Sequence, residues 1–443
     1  MMKRIGCVVR AGAIASAFLA TSASAFEFHG YIRDTVGFNS KGGGQVCFQL
    51  PGSEFKARLG NECQHYWELV FDETVYKDQT GLEAKVEFMP AYGVDTTTPT
   101  GGGTLPTSGT TYGFGTGSVY TQQAWGAIKL PQLGGATVWA GQRYYRRHNV
   151  ESADWFYWNP YQGDAAAGIE DVDLGFGKLA VSLGRVEAVG TVAAPARVVT
   201  GTYMVPEARI YGIAVNPGGA IEIGVDLAIA YDQNSALGAN RTRLSPWFTV
   251  EHFQDRLLGG FNKLTLQYAS GAASIMSSGI LSGATSDPKQ WRAIEQIVFL
   301  ISNRVSGQAA LVYQDQSNLL NGAATTAASP GSGARIFTAE IRPAYHFTDY
   351  FKLQLDAFFQ TLSLKDATAI TSAANLLKLT VAPTFVAGRG FLARPEIRFF
   401  ATYGAWNSPA VALASALNTP IASNAFGADK DGTSFGVQVE AWW

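Results

Sequence analysis

Residues 435–443 read FGVQVEAWW, with Phe435, Val437, Val439, Ala441 and Trp443 on one face and Gln438, Glu440 and Trp442 on the other. Alternation with a period of two marks a strand with one apolar and one polar side. The same pattern opens the chain: Phe26, Phe28, Gly30, Ile32, Val36 and Phe38 share one face, and Glu27, His29, Tyr31 and Arg33 share the other. It recurs where Ile221, Ile223, Val225, Leu227 and Ile229 alternate with Glu222, Gly224, Asp226 and Ala228. It recurs again where Phe351, Leu353, Leu355, Ala357 and Phe359 alternate with Lys352, Gln354, Asp356 and Gln360. A soluble sandwich also builds such strands. Long strands, with aromatics gathered at their ends, favour a transmembrane antiparallel β-barrel.

Composition points the same way. The 443 residues are 47% hydrophobic and only 15% charged, with 49 Gly and 10 Trp; a soluble domain carries roughly 25% charge. No apolar run reaches about 18 residues, so no spanning helix is encoded. An apolar outer face turned to lipid accounts for both facts.

Near the N-terminus, Lys3 and Arg4 precede an apolar run that includes Ile14 and Leu19, and Ala23-Ser24-Ala25 is a small-residue cleavage site. This pattern predicts a signal peptide over residues 1–25 and a single barrel domain over 26–443. Cleavage removes Lys3, Arg4 and Arg10 and no acids, so the mature chain is mildly acidic, and no basic block invites nucleic acid. Cys7 leaves with the signal. Cys47 and Cys63 remain, and in an exported chain they read as one disulfide pinning a surface loop. Their spacing does not suit a compact zinc site, so neither metal nor cofactor is expected.

Short turns such as Asn216-Pro217-Gly218-Gly219 alternate with long connections at 94–117, 188–206, 269–288, 318–333 and 407–432. Short and long connections in alternation are the mark of a barrel with two unlike ends. On the polar face, aromatics recur beside charge: Tyr31 with Arg33, Tyr66 with Glu68, Phe261 with Lys263, and Trp442 with Glu440. A sugar ring has apolar C–H faces and a rim of hydroxyls, so ring planes and ionisable groups side by side suit it. Residues 139–159 (WAGQRYYRRHNVESADWFYWN) hold the densest chemistry and predict a loop folded inward to narrow the lumen. An enzyme is not expected. No G-x-S-x-G elbow occurs, and of five His only His29 and His148 are placed near the lumen.

FHGYIRD at 28–34, VCFQLPG with RLGNEC around the two cysteines, WAGQRYYRRHNV, DVDLGFGKL at 171–179, GFNK at 260–263, ARPEIRFFATYGAW at 393–406 and the terminal EAWW occur in this order. Together they resemble the maltoporin family of sugar-specific outer-membrane porins. The resemblance implies an 18-stranded barrel in the outer membrane of a Gram-negative bacterium, assembled as a homotrimer. It implies facilitated diffusion of maltose and maltodextrins. Tyr31, Tyr66, Phe261 and Trp442 would be path aromatics, Arg33, Arg58, Glu68, Arg147 and Asp154 a polar track, and Cys47–Cys63 the first-loop disulfide. At the constriction the family's tyrosine is Phe156, and two track aspartates are Asn149 and Asn159. A track arginine falls near Gln122 and a path tryptophan at Leu392. A porin for another sugar, such as sucrose, or for small solutes generally is the alternative that these departures leave.

Overall fold

The computed structural model describes residues 27–95, 118–161, 164–190, 198–230, 244–275, 288–318, 333–367, 370–417, 421–422 and 424–443. The expected signal peptide and parts of the long connections lie outside them. The first strands are β1 (Glu27–Asn39), β2 (Gln64–Lys77), β3 (Glu83–Asp95), β4 (Ser118–Leu130) and β5 (Ala136–Gln142). A small hairpin follows, β6 (His148–Val150) with β7 (Trp155–Trp158). Then come β8 (Ala165–Asp173), β9 (Lys178–Gly190), β10 (Val198–Asn216), β11 (Gly219–Ala230), β12 (Leu244–Leu257) and β13 (Gly260–Ser270). The circuit ends with β14 (Lys289–Ser302), β15 (Val305–Ser317), β16 (Gly333–His346), β17 (Phe351–Lys365), β18 (Ala374–Val386), β19 (Glu396–Trp406), helix α1 (Ser408–Leu417) and β20 (Asp431–Trp442).

Eighteen of these strands form one antiparallel sheet in which each pairs with its neighbour in sequence, β5 passing directly to β8. β1 pairs with β20 from Tyr31↔Trp442 to Asn39↔Ser434, which closes the sheet into a barrel. Among the described residues no helix is long and apolar enough to cross a membrane.

Burial is inverted relative to a soluble protein. Lys352, Lys378, Arg292, Gln296 and Gln438 are fully enclosed at 0% exposure, while Leu266 and Phe385 stand 54% exposed on the outside. Along β17 the exposed set is Leu355, Ala357 and Phe359, and the enclosed set is Lys352, Gln354, Asp356 and Gln360. The period-two reading therefore holds, with polar residues turned inward. At the short-turn end Tyr345, Phe347, Phe351, Phe385 and Phe399 form an outer chain of ring contacts 5.0–6.3 Å apart. Aromatic rings collect at a membrane interface in this way.

Two local expectations change. The connection expected at 188–206 is shorter, because β9 runs to Gly190 and β10 begins at Val198. The β10–β11 ladder skips Val205 and Pro206, as fits a residue with no N–H to give. The 47–63 segment is not a surface loop. Phe48, Leu50, Phe55 and Leu59 are at most 1% exposed, because the loop folds into the barrel against β17–β20. Gly60, at φ +59°, lies where a Cβ would strike Thr402 and Phe400, so only glycine brings the loop this close to the wall.

Changing the outward Leu266 to Arg is expected to cost about 2–4 kcal/mol if it lies at bilayer mid-depth, with Leu266→Met near neutral. Denaturant unfolding in lipid vesicles measures the difference, and equal stability of the two variants would contradict the assigned facing.

Candidate channel lining and constriction

The lumen site is built where β20, β1 and β2 lie side by side. Their inward positions bring Trp442, Tyr31 and Tyr66 into a row. The Tyr31 and Trp442 rings stack at 6.5 Å with planes 18° apart, and Tyr31 and Tyr66 lie 6.1 Å apart. Three expected path aromatics are thus contiguous. Phe261 is inward on β13, on the far side of the barrel, in ring contact with Phe253 at 5.8 Å and with the Lys263 ammonium 5.4 Å from its centre.

Charge runs alongside the row. Arg33 donates to Asp154 at 2.9 Å and to Gln64 at 2.7 Å, and its guanidinium lies 4.8 Å from the Tyr66 ring centre. Arg58, carried in by the first loop, donates to the Tyr31 hydroxyl at 2.5 Å, lies 3.2 Å from Glu440 and contacts Glu62. The Tyr31 hydroxyl in turn donates to Glu440 at 3.0 Å. Arg394 approaches Glu440 at 2.7 Å and lies 4.1 Å from the Trp442 ring centre. Glu68 accepts from the hydroxyls of Tyr66 and Tyr144, the latter at 2.9 Å. Tyr144 and the first-loop partner Glu62 belong to the same contact network, and strand parity did not find them because neither lies on a strand.

Glu62 is enclosed, which raises a carboxyl's pKa, but Arg58 and Arg33 outweigh burial and bring it down to about 2. Between β6 and β7, burial pushes the Glu151 carboxyl above its ordinary value.

The constriction is the β6–β7 hairpin. Alternation along β7 sends Trp155 and Tyr157 to one side and Phe156 to the other. Trp155 Nε1 donates to Glu54 at 3.3 Å, Tyr157 Oη to Glu251 at 2.7 Å, and Trp158 Nε1 to Asp226 at 3.3 Å. The Trp158 ring lies under the Arg209 guanidinium at 3.7 Å. It rests on Gly224, where any Cβ would collide with the indole. Ser152 Oγ donates to Glu340 at 2.6 Å, and the Asn149 carbonyl accepts from Gln296 at 2.7 Å. Between these anchors Asp154, in the left-handed region at φ +50°, turns its carboxylate towards Arg33 and Arg58, 2.9 and 3.6 Å away. Asp tolerates that conformation better than most residues.

Arg147 is held between the Tyr144 and Phe156 rings, 3.3 and 3.9 Å from their centres. Phe156 is therefore a stacking surface without a hydroxyl. Asn149 Nδ2 donates to Glu151 at 3.3 Å, and Asn159 is half-buried beyond the hairpin. Of the residues expected in a polar track, Arg33 and Arg58 meet at Asp154, and Glu68 and Arg147 meet at Tyr144.

Two positions shift by one residue. A bulge in the β3–β4 ladder skips Gln122, so Gln123 is the enclosed one and accepts the Tyr144 N–H at 2.7 Å. Leu392 is exposed, whereas its neighbour Phe391 is buried 5.3 Å from the Arg342 guanidinium. Cys47 and Cys63 are bonded, with Cα atoms 6.0 Å apart.

His346 must be added to the inward histidines; its Nε2 lies 2.8 Å from Ser306 Oγ, and among the described residues no carboxylate is hydrogen-bonded to its Nδ1 as the third member of a hydrolytic triad would be. Glu27, His29 and Asp72 come within 4.8 Å of one another at the short-turn rim. Lys85, 2.5 Å from Asp72, already supplies positive charge there, so the group reads as an ion-pair cluster.

The LamB porin family matches residues 26–443. Among solved structures the chain is similar to OccAB2 of Acinetobacter baumannii, at 9% identity over 95% of this chain and 98% of that one, with a TM-score of 0.49. It is also similar to OccK9 (OpdG) of Pseudomonas aeruginosa, at 12% identity over 94% and 98%, TM-score 0.48. OmpF of Salmonella typhi, solved in complex with daunomycin, aligns at 10% identity over 94% and 97%, TM-score 0.47.

Two outcomes test this geometry. Gly224→Val should expel the Trp158 indole, loosen the hairpin and raise single-channel conductance; unchanged conductance would mean that the hairpin is held elsewhere. The Glu62 pairing, with its folded pKa depressed, stabilises fully above about pH 4.5 and loses that contribution as pH falls towards about 2. The stability gap between wild type and Glu62→Gln should close over that window in thermal unfolding scans.

Proposed function

Because the chain belongs to the LamB porin family, whose members are outer-membrane channels rather than enzymes, we propose that it passes sugars by facilitated diffusion, maltose and maltodextrins first among them. The row Trp442–Tyr31–Tyr66, flanked by Arg33, Arg58, Glu68 and Glu440, carries this reading. Ring contacts of about 0.5–1.5 kcal/mol each give about 1.5–4.5 kcal/mol along three rings. That corresponds to affinity around the millimolar range or weaker, enough to favour entry and weak enough to release. Phe261 extends the path towards the far wall. Arg147, Asp154, Phe156, Asn149 and Asn159 set the narrowest stretch.

The charges along the row are mutually compensated, with Arg33, Arg58 and Arg394 set against Asp154, Glu62 and Glu440. A compensated lining exchanges hydrogen bonds with neutral hydroxyls without demanding a charged solute. To the same reading belong removal of residues 1–25 as a signal peptide, a single barrel domain over 26–443, and assembly as a homotrimer, which crosslinking in detergent would check.

The test is single-channel conductance in a planar bilayer, titrated with maltotriose, sucrose and glucose. Saturable block by one of them is expected, and Trp442→Ala should weaken it by about 2- to 10-fold. Current indifferent to all three sugars would make the protein a general small-solute porin.

A further inference from the structure

On the wall facing the aromatic row, a pocket of ≈ 260 Å³ opens beneath the constriction hairpin, lined by His148, Gly212, Glu222, Glu251, Phe253 and Lys263 among others. Its existence is written into the wall. The β10–β11 register shifts between Ile210 and Ile213, and Gly212 in that shift has φ +69° and open space where a Cβ would point. A β-bulge bends its strand and re-aims the side chains beside it. Ala220, which pairs with Ala214 on one side and Phe253 on the other, lines the hollow with only a methyl group.

The lining is chemically mixed. The Phe253 ring contacts the Phe261 ring at 5.8 Å, so the pocket adjoins the far-wall end of the proposed path. Lys263 makes no ion pair within 4 Å among the described residues; its ammonium lies 5.4 Å from the Phe261 ring centre and faces the Glu151 and Glu251 carboxylates at longer range. Glu222 lies 3.4 Å from Arg209 and 3.6 Å from His148, and it borders the hollow. Glu251 is committed, being held by His148 at 2.9 Å, Tyr157 at 2.7 Å and Thr265 at 2.8 Å. An apolar ring with a donor and an acceptor at its edge is the complement of a single pyranose.

We propose that this pocket is a second saccharide subsite, off the aromatic row, which holds one sugar ring with its C–H face on Phe253 and its hydroxyls on Lys263 and Glu222. It rests on the sugar-channel reading and deepens it. A solute in the lumen then has two resting places, one along the row and one to the side.

The experiment is current-noise and dwell-time analysis of single channels with glucose and maltotriose. It compares wild type with Ala220→Phe, which fills the hollow, and Phe253→Ala, which removes its ring. Wild type should show two block lifetimes. Ala220→Phe should abolish one of them while leaving open conductance and the other intact, and Phe253→Ala should shorten the same one by about 2- to 10-fold. A single lifetime in wild type, or two lifetimes that neither variant moves, would overturn the subsite and leave the channel reading standing. Absence of any block by either sugar, and by sucrose as well, would overturn both. Heat-modifiable mobility on gels confirms that each variant is a folded barrel, and Lys263→Gln, a surface change within the lumen, should weaken the same lifetime if a packing variant fails to fold.

Discussion

A sheet in hydrocarbon has no water to satisfy an unpaired edge, so the structure depends on the ladder between β1 and β20. Once that ladder is made, no strand has a free side, and the outer face has only to be apolar. Every polar requirement moves inward. The enclosed Lys352, Lys378, Arg292 and Arg398 follow from this, since an interior away from both lipid and bulk solvent tolerates charge only when it is paired. Lys378 meets Asp356 at 3.1 Å, and Arg398 meets Glu396 at 2.5 Å.

An 18-stranded barrel left empty would be a wide pore. Here two loops fill it. The disulfide-bridged first loop packs on β17–β20, and the β6–β7 hairpin reaches the wall at Asp226, Glu251, Gln296 and Glu340. The two loops touch each other where Trp155 meets Phe55 at 5.6 Å and the Arg58 N–H donates to the Ser152 carbonyl at 3.2 Å. The row of Trp442, Tyr31 and Tyr66 lies on the wall between them, where the first loop reaches it through the Arg58 guanidinium rather than through its apolar side chains.

Strand positions were legible because alternation is a strict code, and one face fixes the other. Tyr31, Arg33, Tyr66, Glu68, Phe261 and Trp442 all face inward as their parity requires. The code failed where the period breaks. The bulge at Gln122 interrupts the alternation along β4 and leaves Gln123 enclosed, and Pro206 lay inside a strand that its turn-like neighbours concealed. Loops have no period, so Tyr144, Glu62 and the inward fold of residues 48–59 could not be read from alternation. The apolar Phe48, Leu50, Phe55 and Leu59 were the available hint, since a solvent loop does not carry four such side chains. Helix α1 was equally silent, being ten residues of small and aliphatic type inside a long connection.

The hairpin also has a mechanical role. Its anchors lie on β11, β12, β14 and β16 as well as on the first loop, so it ties opposite arcs of the wall together like a strut across a hoop. A hoop without a strut can be squeezed into an ellipse by lateral pressure from the bilayer, and its clearance would then vary with the membrane around it. Bracing from within keeps the cross-section fixed, so the aperture is set by the protein alone.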